Sequence, residues 1–413
     1  MHKIITFLGL RPVETDYAFG GHIYSGKVFA EALRQFVDYD QMLVCVTVEA
    51  RSDAWPVLAD LQDPRILAVP IPRAETTVQM WEMFDAILEH VDPGDTVIFD
   101  ITHGLRSLPF LVFLFAAYLK TARQVKIEAI YYGALELGDR DAHKPAPVID
   151  LSEFVTMLDW LTATDQFVQT GNARRLAELL DPGNTRKGAS AVASETLSTV
   201  SQAALLCQPF ALMQQVGKLE GSLLKAEKEL KLTAHPFGVL RDQIVAAFTK
   251  FGADFLQDVP GGLKAEFRLI EWYYQNKQLI QAMSLAREWL IDAVSYRLGL
   301  TIDFKPEARS PVEWALSGIN LVGRKFTDSQ TGLKRLFTLE DLNEYGRTIY
   351  KSWPECPSLI NIWNLLSPIR NALDHAEHQA SALQLKKIIK KADEVMPMLR
   401  DLAASWSLCD PCS

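Results

Sequence analysis

Five polar or small residues lie close together after a short apolar stretch at positions 96–99. They are Asp100, Thr102, His103, Gly104 and Arg106. A turn between a buried strand and a helix can bind an anion, because free backbone N–H groups and the helix dipole favour negative charge there. Arg106 would add a mobile positive charge. In the alternative, a purely structural turn, Asp100 and Thr102 only bond the local backbone, but such a turn does not require this many polar groups. We therefore predict a ligand site.

A second group of polar residues, Arg370, Asn371 and His375, lies near the end of the chain. Arginine can bind phosphate through two hydrogen bonds, and histidine can move a proton near neutral pH. Asn371 could orient the histidine or a sugar. Ser367 suits an N-cap and Pro368 suits a first helical position, so the pattern predicts a helix that begins here, with Arg370 and Asn371 in its first turn. On this stretch alone, a surface helix start with an incidental histidine is the better interpretation.

The elements that must position the first group alternate between strands and helices. The predicted strands are Lys3–Leu8, Met42–Val48, Arg65–Ile71, Thr96–Phe99 and Lys126–Tyr132, and the predicted helices run from about Tyr24 to Phe36, over Thr76–Val91 and over Phe110–Leu119. This alternation predicts a parallel, Rossmann-like sheet, in which ligands bind at the carboxyl ends of the strands. A polar loop is expected between the first strand and the first helix. The third helix is apolar nearly all round, so we expect it to be buried.

Beyond Asp150 the pattern predicts helices only. These cover Glu153–Leu180, 194–257, Phe267–Leu298 and most of the chain from 336 to about 404, with flexible breaks at 181–188 and 259–262 and irregular structure at 300–335. The predicted fold class is an α/β domain followed by all-α structure. The predicted domains are an α/β domain over 1–155, a helical linker over 156–262 and a helical domain over 263–413.

The octapeptide 21–28, GHIYSGKV, nearly matches the phosphate loop of nucleoside triphosphatases. That motif requires serine or threonine after its lysine to hold magnesium, and it must follow its strand directly. Here Val28 follows Lys27, and the first predicted strand has ended well before. We interpret the match as chance. No G-x-G-x-x-G follows a predicted strand, so we expect no dinucleotide cofactor.

Charge is unevenly distributed along the 413 residues. Residues 1–160 hold 13 Lys and Arg against 23 Asp and Glu, a net charge of −10, whereas residues 161–413 hold 29 against 28. Neither part is the strongly basic body of a general nucleic-acid binder, so nucleic acid would be handled at a local site. The longest apolar run, 110–119, is far shorter than the ~20 residues of a membrane-spanning helix.

Cysteine usage favours a reducing, cytoplasmic location. The five cysteines are scattered at 45, 207, 356, 409 and 412, whereas a disulfide framework uses an even number at regular spacings. The last two form a C-x-x-C pair, but a zinc site would need a second pair of ligands, so we predict no metal site. The N-terminus does not have the layout of a signal peptide.

Two stretches together resemble a known family. DITHGLR at 100–106, with FLGL at 7–10, resembles the CARF domain, the Rossmann-like sensor of CRISPR-associated proteins. RNALDH at 370–375 resembles the R-x4-H motif of HEPN ribonucleases. Their order is that of the CARF–HEPN ribonucleases of type III CRISPR defence. The resemblance covers 1–155 and 265–405 well, and the middle helices only loosely.

The resemblance implies an allosteric activator for the first domain. CARF domains pair about a two-fold axis and bind a cyclic oligoadenylate, a polyanionic ring. The residues implied to form that site are Gly9, Leu10, Arg11, Asp100, Thr102, His103, Gly104 and Arg106. The loop after Gly9 reads Leu-Arg-Pro where smaller or polar residues are typical of the family, so the size of the ring stays open.

The resemblance also implies a reaction for the last domain. HEPN ribonucleases cut single-stranded RNA without a metal, through attack of the substrate's own 2′-hydroxyl on the adjacent phosphate, so DNA is not cut. His375 would serve as acid or base or polarise the phosphate, Arg370 would stabilise its developing charge, and Asn371 would complete the site. A homodimer would share this site between chains.

Two other functions stay open. The chain could be a ligand-gated scaffold or regulator that cuts nothing, or an enzyme that degrades the cyclic ligand at the CARF site. A DNA-binding regulator is disfavoured, because residues 265–405 show neither a tight helix-turn-helix pattern nor a basic recognition helix.

Overall fold

The computed structural model describes residues 1–104, 107–139, 143–230, 237–327, 334–374 and 384–410, with backbone only at 371, 373 and 374. The chain divides into two compact units, Met1–Leu161 and Thr162–Ser413. The three-domain division, with boundaries at 155 and 262, stays a prediction.

The first unit contains one eight-stranded sheet with helices on both faces. Its strands are β1 (His2–Phe7), β2 (Thr15–Phe19), β3 (His22–Gly26), β4 (Gln41–Val46), β5 (Ile66–Pro70), β6 (Thr96–Asp100), β7 (Lys126–Gly133) and β8 (Ala146–Asp150). Its helices are α1 (Phe29–Phe36), α2 (Val48–Asp53), α3 (Trp55–Ala59), α4 (Thr77–Leu88) and α5 (Leu108–Ala122), and α6 (Ser152–Thr170) crosses into the second unit.

The strand order is β3-β2-β8-β7-β6-β1-β4-β5. The five strands from β7 to β5 are parallel, which confirms the Rossmann-like prediction. The sheet as a whole is mixed, because β8 runs antiparallel to β7, and β3 antiparallel to β2. The central strands alternate between two cores: Ile4 and Val44 face α1, α2 and α3, whereas Ile5 and Phe99 face α4 and α5.

The predictions for residues 9–36 were partly wrong. Residues 15–26 form the β2–β3 hairpin rather than a polar loop, and α1 begins at Phe29 rather than near Tyr24. Gly20 and Gly21 have φ angles of 58° and 84°, the left-handed conformations that a two-residue hairpin turn requires. The Gly-Gly pair therefore forms the turn between β2 and β3. Lys27 directly follows the last residue of β3 and does not belong to a phosphate-binding loop.

In the part that the structure describes, the second unit consists of helices and one small hairpin. Its helices are α7 (Arg174–Leu180), α8 (Gly188–Leu205), α9 (Pro209–Leu230), α10 (Phe237–Phe248), α11 (Val259–Gln275), α12 (Leu279–Arg297), α13 (Pro306–Ile319), α14 (Glu344–Ser352), α15 (Cys356–Asp374) and α16 (Leu385–Ser405), and its hairpin pairs β9 (Lys325–Thr327) with β10 (Lys334–Leu336). The predicted α/β-plus-α class is confirmed. No helix among the described residues is long and apolar enough to cross a membrane.

Several helix boundaries differ from the predictions. The predicted break at 259–262 is the first turn of α11, where the Asp258 side chain accepts a hydrogen bond from the Gly261 amide. The predicted helix Phe267–Leu298 is two helices, α11 and α12, separated by a turn in which Lys277 has a φ angle of 60°. The segment predicted to be irregular, 300–335, contains α13. Pro260 lies in the first turn of α11, where proline is tolerated, whereas α13 continues through Pro311, so tertiary packing outweighs the local proline signal there.

Candidate functional site

The order of the strands places one crevice at the middle of the parallel sheet. β1 lies between β4 and β6, and the chain builds outward from β1 in one direction and from β6 in the other. This change of direction is the topological switch point, where open α/β sheets bind ligands beyond the carboxyl ends of the strands. The turns that follow β1 and β6 contain Gly9–Arg11 and 101–104, the two segments that the sequence predicts to form a site.

Asp100 and Thr102 fix the backbone at this crevice. The fully buried Asp100 accepts hydrogen bonds from the Thr6 hydroxyl (2.6 Å) and from the Thr102 amide (2.8 Å). The Thr102 hydroxyl oxygen accepts a bond from the Gly133 amide at 2.8 Å. Burial raises the pKa of Asp100, and the nearby His103 opposes this shift. These bonds tie together the ends of β1, β6 and β7, so both side chains hold the turn in place.

Two glycines let the turns approach each other closely. A Cβ atom at Gly104, where φ is 121°, would lie 2.8 Å from the Leu108 side chain, and its conformation would be strained in any other residue. A Cβ atom at Gly9 would lie 3.4 Å from the His103 Cβ and 3.7 Å from the Gly104 nitrogen. Side chains at either position would fill the floor of the crevice.

His103 is the half-buried ring between the two turns. Its Nε2 atom accepts a hydrogen bond from the Phe29 amide at 3.1 Å. Its Nδ1 atom lies on the side of Gly9, 3.8 Å from where a Cβ would stand. Burial lowers the pKa of His103, and the Coulomb attraction of Asp100 opposes this shift only in part. The ring is therefore neutral near pH 7 and bears its proton on Nδ1.

The loop after β1 projects toward solvent. Leu10 is 58% exposed. Arg11 has a φ angle of 60°, and its amide donates to an Asp53 carboxylate oxygen at 2.6 Å, which anchors the loop to the end of α2. The sequence places Gly9, Leu10 and Arg11 at the site, and all three line the pocket described next.

A polar pocket of about 900 Å³ opens beside this loop. Its walls come from both switch-point turns, the β2–β3 hairpin and the segment between β7 and β8. The basic groups on its wall are Arg11, Lys27, His103, His143 and Lys144, and the acidic groups are Glu14, Asp16 and Asp139. The sequence analysis did not predict Lys27, His143 and Lys144, because only the pairing of β2 with β8 brings their segments to this crevice.

A second pocket, of about 640 Å³, lies on the other side of Gly9 and Leu10. Apolar side chains dominate its wall, among them Phe7, Ile71, Met83 and Leu108. Glu49 and Arg73 form an ion pair at its edge, and the guanidinium holds the pKa of Glu49 at about 2. The switch-point loop thus separates a polar pocket with basic groups from a largely apolar one.

The second predicted group of residues is described only in part. Arg370 is half-buried in α15, and Asn371 belongs to the same helix. Arg106 and His375 lie outside the described residues. Whether Arg370 and His375 flank one phosphate stays a prediction.

The predicted helix start at Ser367 was wrong. α15 begins at Cys356 and runs through Pro368, so Arg370 lies near the end of its described part rather than in a first turn. Leu359, Ile362, Leu366 and Ile369 recur at helical spacing and are fully buried. Proline in a helix interior costs about 3 kcal/mol, and burial of this apolar face offsets that cost.

A network of mostly half-buried charged residues on α12 and α13 reaches α15 at Trp363. Arg309 pairs with Asp292 and, at 2.7 Å, with Glu288. Arg287 bonds Glu288 at 2.7 Å, and its guanidinium lies 5.0 Å from the centre of the Trp363 ring of α15.

Glu266 on α11 interacts electrostatically with this network and is 1% exposed. No described group bonds its Oε2 atom. Burial raises the pKa of Glu266 well above its usual range and that of Asp292 to about 6. Within the described residues, no three His, Cys, Asp or Glu side chains are grouped so as to hold a metal ion.

The middle of the chain is similar to known proteins. Residues 156–256 match the family model described as CRISPR-associated protein MJ1674, second domain. The CRISPR-associated protein MJ1674 of Methanocaldococcus jannaschii is 32% identical over 106 residues, which are 25% of this chain and 16% of that protein. The middle of this chain is similar to a CRISPR-associated protein. The similarity covers the helices for which the two sequence motifs gave only a loose resemblance.

One solved structure aligns with nearly the whole chain. Enterococcus italicus Csm6 bound to cyclic hexa-2′-fluoro-hexa-dAMP matches 99% of this chain and 95% of its own, with 10% identity and a TM-score of 0.47. A likeness this weak does not bear on the function.

Proposed function

We propose that this protein is a cytoplasmic ribonuclease of type III CRISPR defence that a cyclic oligoadenylate activates. The observation that carries the proposal is the polar pocket at the switch point, where two glycine-containing turns meet and basic groups line the wall. The similarity of residues 156–256 to a CRISPR-associated protein supports the same biological setting.

The pocket suits a polyanionic ligand. Arg11, Lys27 and Lys144 place three cationic side chains on the wall of this pocket, beside the acidic groups Glu14, Asp16 and Asp139. Phosphate groups would therefore be bound by individual cationic side chains, in a unit whose net charge is negative. Arg106, two residues beyond Gly104 in the sequence, would add a charge-assisted hydrogen bond to phosphate. The apolar pocket on the other side of Gly9 offers a surface for an uncharged part of the same ligand.

The proposed reaction belongs to the second unit. The 2′-hydroxyl of the RNA attacks the adjacent phosphorus as its proton passes to a base, and the bond to the 5′-oxygen breaks as that oxygen receives a proton. The products are a 2′,3′-cyclic phosphate and a free 5′-hydroxyl. His375 carries a proton in this step, Arg370 binds the phosphate oxygens as charge develops on them, and Asn371 orients the histidine or the sugar. No metal takes part, and DNA lacks the nucleophile.

The surface of the first unit supports a homodimer. The helix α5 was predicted to be buried, but Phe110, Leu114 and Tyr118 on α5 and Val78 and Trp81 on α4 are 48–69% exposed. The ring of Phe84 lies 6.0 Å from that of Trp81 and 5.0 Å from that of Tyr118, so the α4–α5 face is continuous. Apolar patches of this kind are typical of interfaces. A second copy suits the face, because α5 follows the turn at residues 101–104 (the ligand turn), and a two-fold axis beside α5 would bring two such turns to one symmetric ligand.

The test is an RNA-cleavage assay with a fluorophore- and quencher-labelled single-stranded RNA. The purified protein is incubated with cyclic oligoadenylates of each ring size in turn, with and without EDTA, and with a DNA of the same sequence as control. The proposal predicts cleavage of RNA only, dependent on one ring size and unaffected by EDTA.

The open alternatives predict other results in the same assay. A ligand-gated scaffold would bind a cyclic oligoadenylate and leave the RNA intact. An enzyme acting on the ligand would convert the cyclic oligoadenylate to linear products, which chromatography detects, and would leave the RNA intact. Cleavage at full rate without any cyclic oligoadenylate would contradict the sensor role.

A further inference from the structure

The N-terminus of α1 lacks a cap from its own sequence. The N-cap residue is Val28, whose side chain cannot accept a hydrogen bond from the helix, whereas N-caps are usually Ser, Thr, Asp or Asn. The first helical amide, that of Phe29, instead donates to Nε2 of His103, 74 residues along the chain. A ring from the ligand turn thus provides the acceptor that the local sequence lacks.

This bond fixes the tautomer of His103. A nitrogen that accepts a hydrogen bond has no proton, so Nε2 is unprotonated and the proton of the neutral ring lies on Nδ1. An imidazolium ring would lose the bond to Phe29 and would place positive charge beside the positive end of the helix dipole. Burial, which lowers the pKa of His103, favours the same neutral form.

The remaining nitrogen, Nδ1, lies near the polar pocket. Nδ1 lies on the Gly9 side of the ring, and both residues line that pocket. Within the described residues, Nδ1 makes no hydrogen bond to the protein. The oxygens of Asp100 accept from Thr6 and Thr102, and no hydrogen bond joins Asp100 to the ring in the described part of the chain. Because no described group accepts from Nδ1–H, this donor is available to a bound molecule or to solvent.

The cap is linked to the far wall of the pocket by packing. The Phe29 ring is fully buried and lies 4.8 Å from the ring of Tyr17 on β2, which lines the pocket. Both rings pack on Gly133, where a Cβ would lie 2.9 Å from Tyr17 and 3.1 Å from Phe29. The amide of Gly133 donates to Thr102, in the same turn as His103. The ligand turn, α1 and β2 therefore all contact Gly133.

We propose that His103 is a positioning residue with two fixed roles: Nε2 caps α1 through the Phe29 amide, and Nδ1–H donates to an acceptor atom of the pocket ligand. The first role stands on the protein alone, and the second rests on the proposed function. Donation from Nδ1–H to a ligand acceptor makes Nε2 a better acceptor, because hydrogen bonds in a chain polarise one another. Ligand binding therefore tightens the start of α1, and the pocket requires a hydrogen-bond acceptor, not a donor, at this position.

The free protein gives the first test. Nitrogen NMR of the imidazole at neutral pH distinguishes the two neutral tautomers and the imidazolium ring. We expect the Nδ1–H tautomer at His103 and a Phe29 amide protected from hydrogen exchange. A ring protonated on Nε2, or an unprotected Phe29 amide, would overturn the capping role.

Two isosteric substitutions separate the roles. In His103→Gln the side-chain oxygen can occupy the position of Nε2, and in His103→Asn the side-chain nitrogen can occupy the position of Nδ1. We expect His103→Gln to keep the protection of Phe29 but to bind a cyclic oligoadenylate about tenfold more weakly, the loss of one hydrogen bond. We expect His103→Asn to keep the affinity and to speed exchange at Phe29 about tenfold.

The affinity measurements use cyclic tetraadenylate and cyclic hexaadenylate as probes, with calorimetry as readout and His90→Gln, at an exposed histidine after α4, as control. Equal effects of both substitutions on both readouts would mean that the ring is only packed, and would overturn the proposal. If neither probe binds the unaltered protein while Phe29 is protected and the tautomer is Nδ1–H, the proposed function and the ligand role of His103 both fail and the cap remains.

Discussion

The two motif-bearing regions of this chain are built in opposite ways. In the first unit, hydrogen bonds of its own polar side chains fix the turn after β6. Asp100 accepts from Thr6, Thr102 accepts from Gly133, and His103 accepts from Phe29. In the second unit, Arg370 lies in a long helix whose position depends on a buried apolar face, with a charged network beneath its middle. The first arrangement is suited to a rigid binding site, whereas the second positions its residues through the packing of a whole helix.

The two units also bury carboxyl groups differently. Asp100 accepts two hydrogen bonds, whereas no described group bonds Oε2 of Glu266. A buried acid with bonded oxygens stabilises the fold around it, and one without them costs free energy when it is ionised. Asp100 therefore stabilises the turn around it, whereas we expect Glu266 to make the stability of the second unit depend on pH.

The largest effect is expected from the second unit. His375→Ala should lower cyclic-oligoadenylate-dependent RNA cleavage about 100-fold or more, because proton transfer contributes about that much, and should leave ligand affinity unchanged. Cleavage kinetics and calorimetry on the same sample measure both. His90→Ala, at an exposed position in the first unit, is the control. Unchanged cleavage in His375→Ala would exclude His375 from the reaction and remove the functional contrast between the units.

The second prediction concerns sharing of the catalytic site between chains. When wild-type and Arg370→Ala/His375→Ala chains are mixed equally and exchanged, a shared site predicts about a quarter of wild-type activity, because only wild-type pairs are intact. Separate sites predict about half. Exchange must be confirmed with labelled chains.

Phe110→Asp in the α4–α5 face should weaken self-association in sedimentation experiments, and an unchanged dimer would exclude that face.

A smaller effect is expected for the acid that builds the ligand turn. Asp100→Asn replaces one accepting oxygen by a donor, so we expect the first unit to lose about 1–2 kcal/mol of unfolding free energy. Ligand affinity should fall as the turn loosens. Denaturant unfolding and calorimetry measure the two effects. Full stability and affinity in this variant would show that the turn does not depend on these bonds.

Removing the charge of the buried acid Glu266 is expected to raise the unfolding free energy, in contrast to Asp100→Asn. Its folded-state pKa is raised above the unfolded value, so its contribution to stability is full below the unfolded pKa and is lost as the pH rises through the folded pKa. Glu266→Gln does not ionise, so its stability advantage over the wild type should grow from about pH 5 to pH 8, by at most about 1.4 kcal/mol per pH unit. Glu195→Gln, at an exposed position on α8, is the control. A difference independent of pH would refute the buried ionisation.

The sequence predicted the parts of this fold that local patterns determine. The five parallel strands are apolar runs, and the turn after Thr96–Phe99 was recognisable because its polar residues directly follow a buried strand. The β2–β3 hairpin was missed because Gly20-Gly21 was interpreted as part of a polar loop rather than as a turn between two strands. The continuity of α15 was missed because Pro368 suggested a start, whereas the buried residues before it already continue the helical spacing.

The rest of the site depends on contacts between distant segments. Lys27 and Lys144 reach the pocket only because β2 pairs with β8. The cap that His103 provides for α1 joins residues 74 positions apart, and the only local sign was an α1 N-terminus without a capping residue. Such contacts follow from the topology of the sheet and have no pattern within a short window of sequence.

The central claim is that the switch-point pocket controls cleavage in the other unit. The most direct measurement is a titration of RNA cleavage with the activating cyclic oligoadenylate in wild type, Arg106→Ala and the control Arg174→Ala at an exposed arginine of α7. Loss of a charge-assisted contact worth about 1.5–3 kcal/mol should shift the Arg106→Ala midpoint about 10- to 100-fold to higher ligand concentration. The maximal rate should be unchanged, because the catalytic residues are intact. An unchanged midpoint, or a lowered plateau at the wild-type midpoint, would contradict the account.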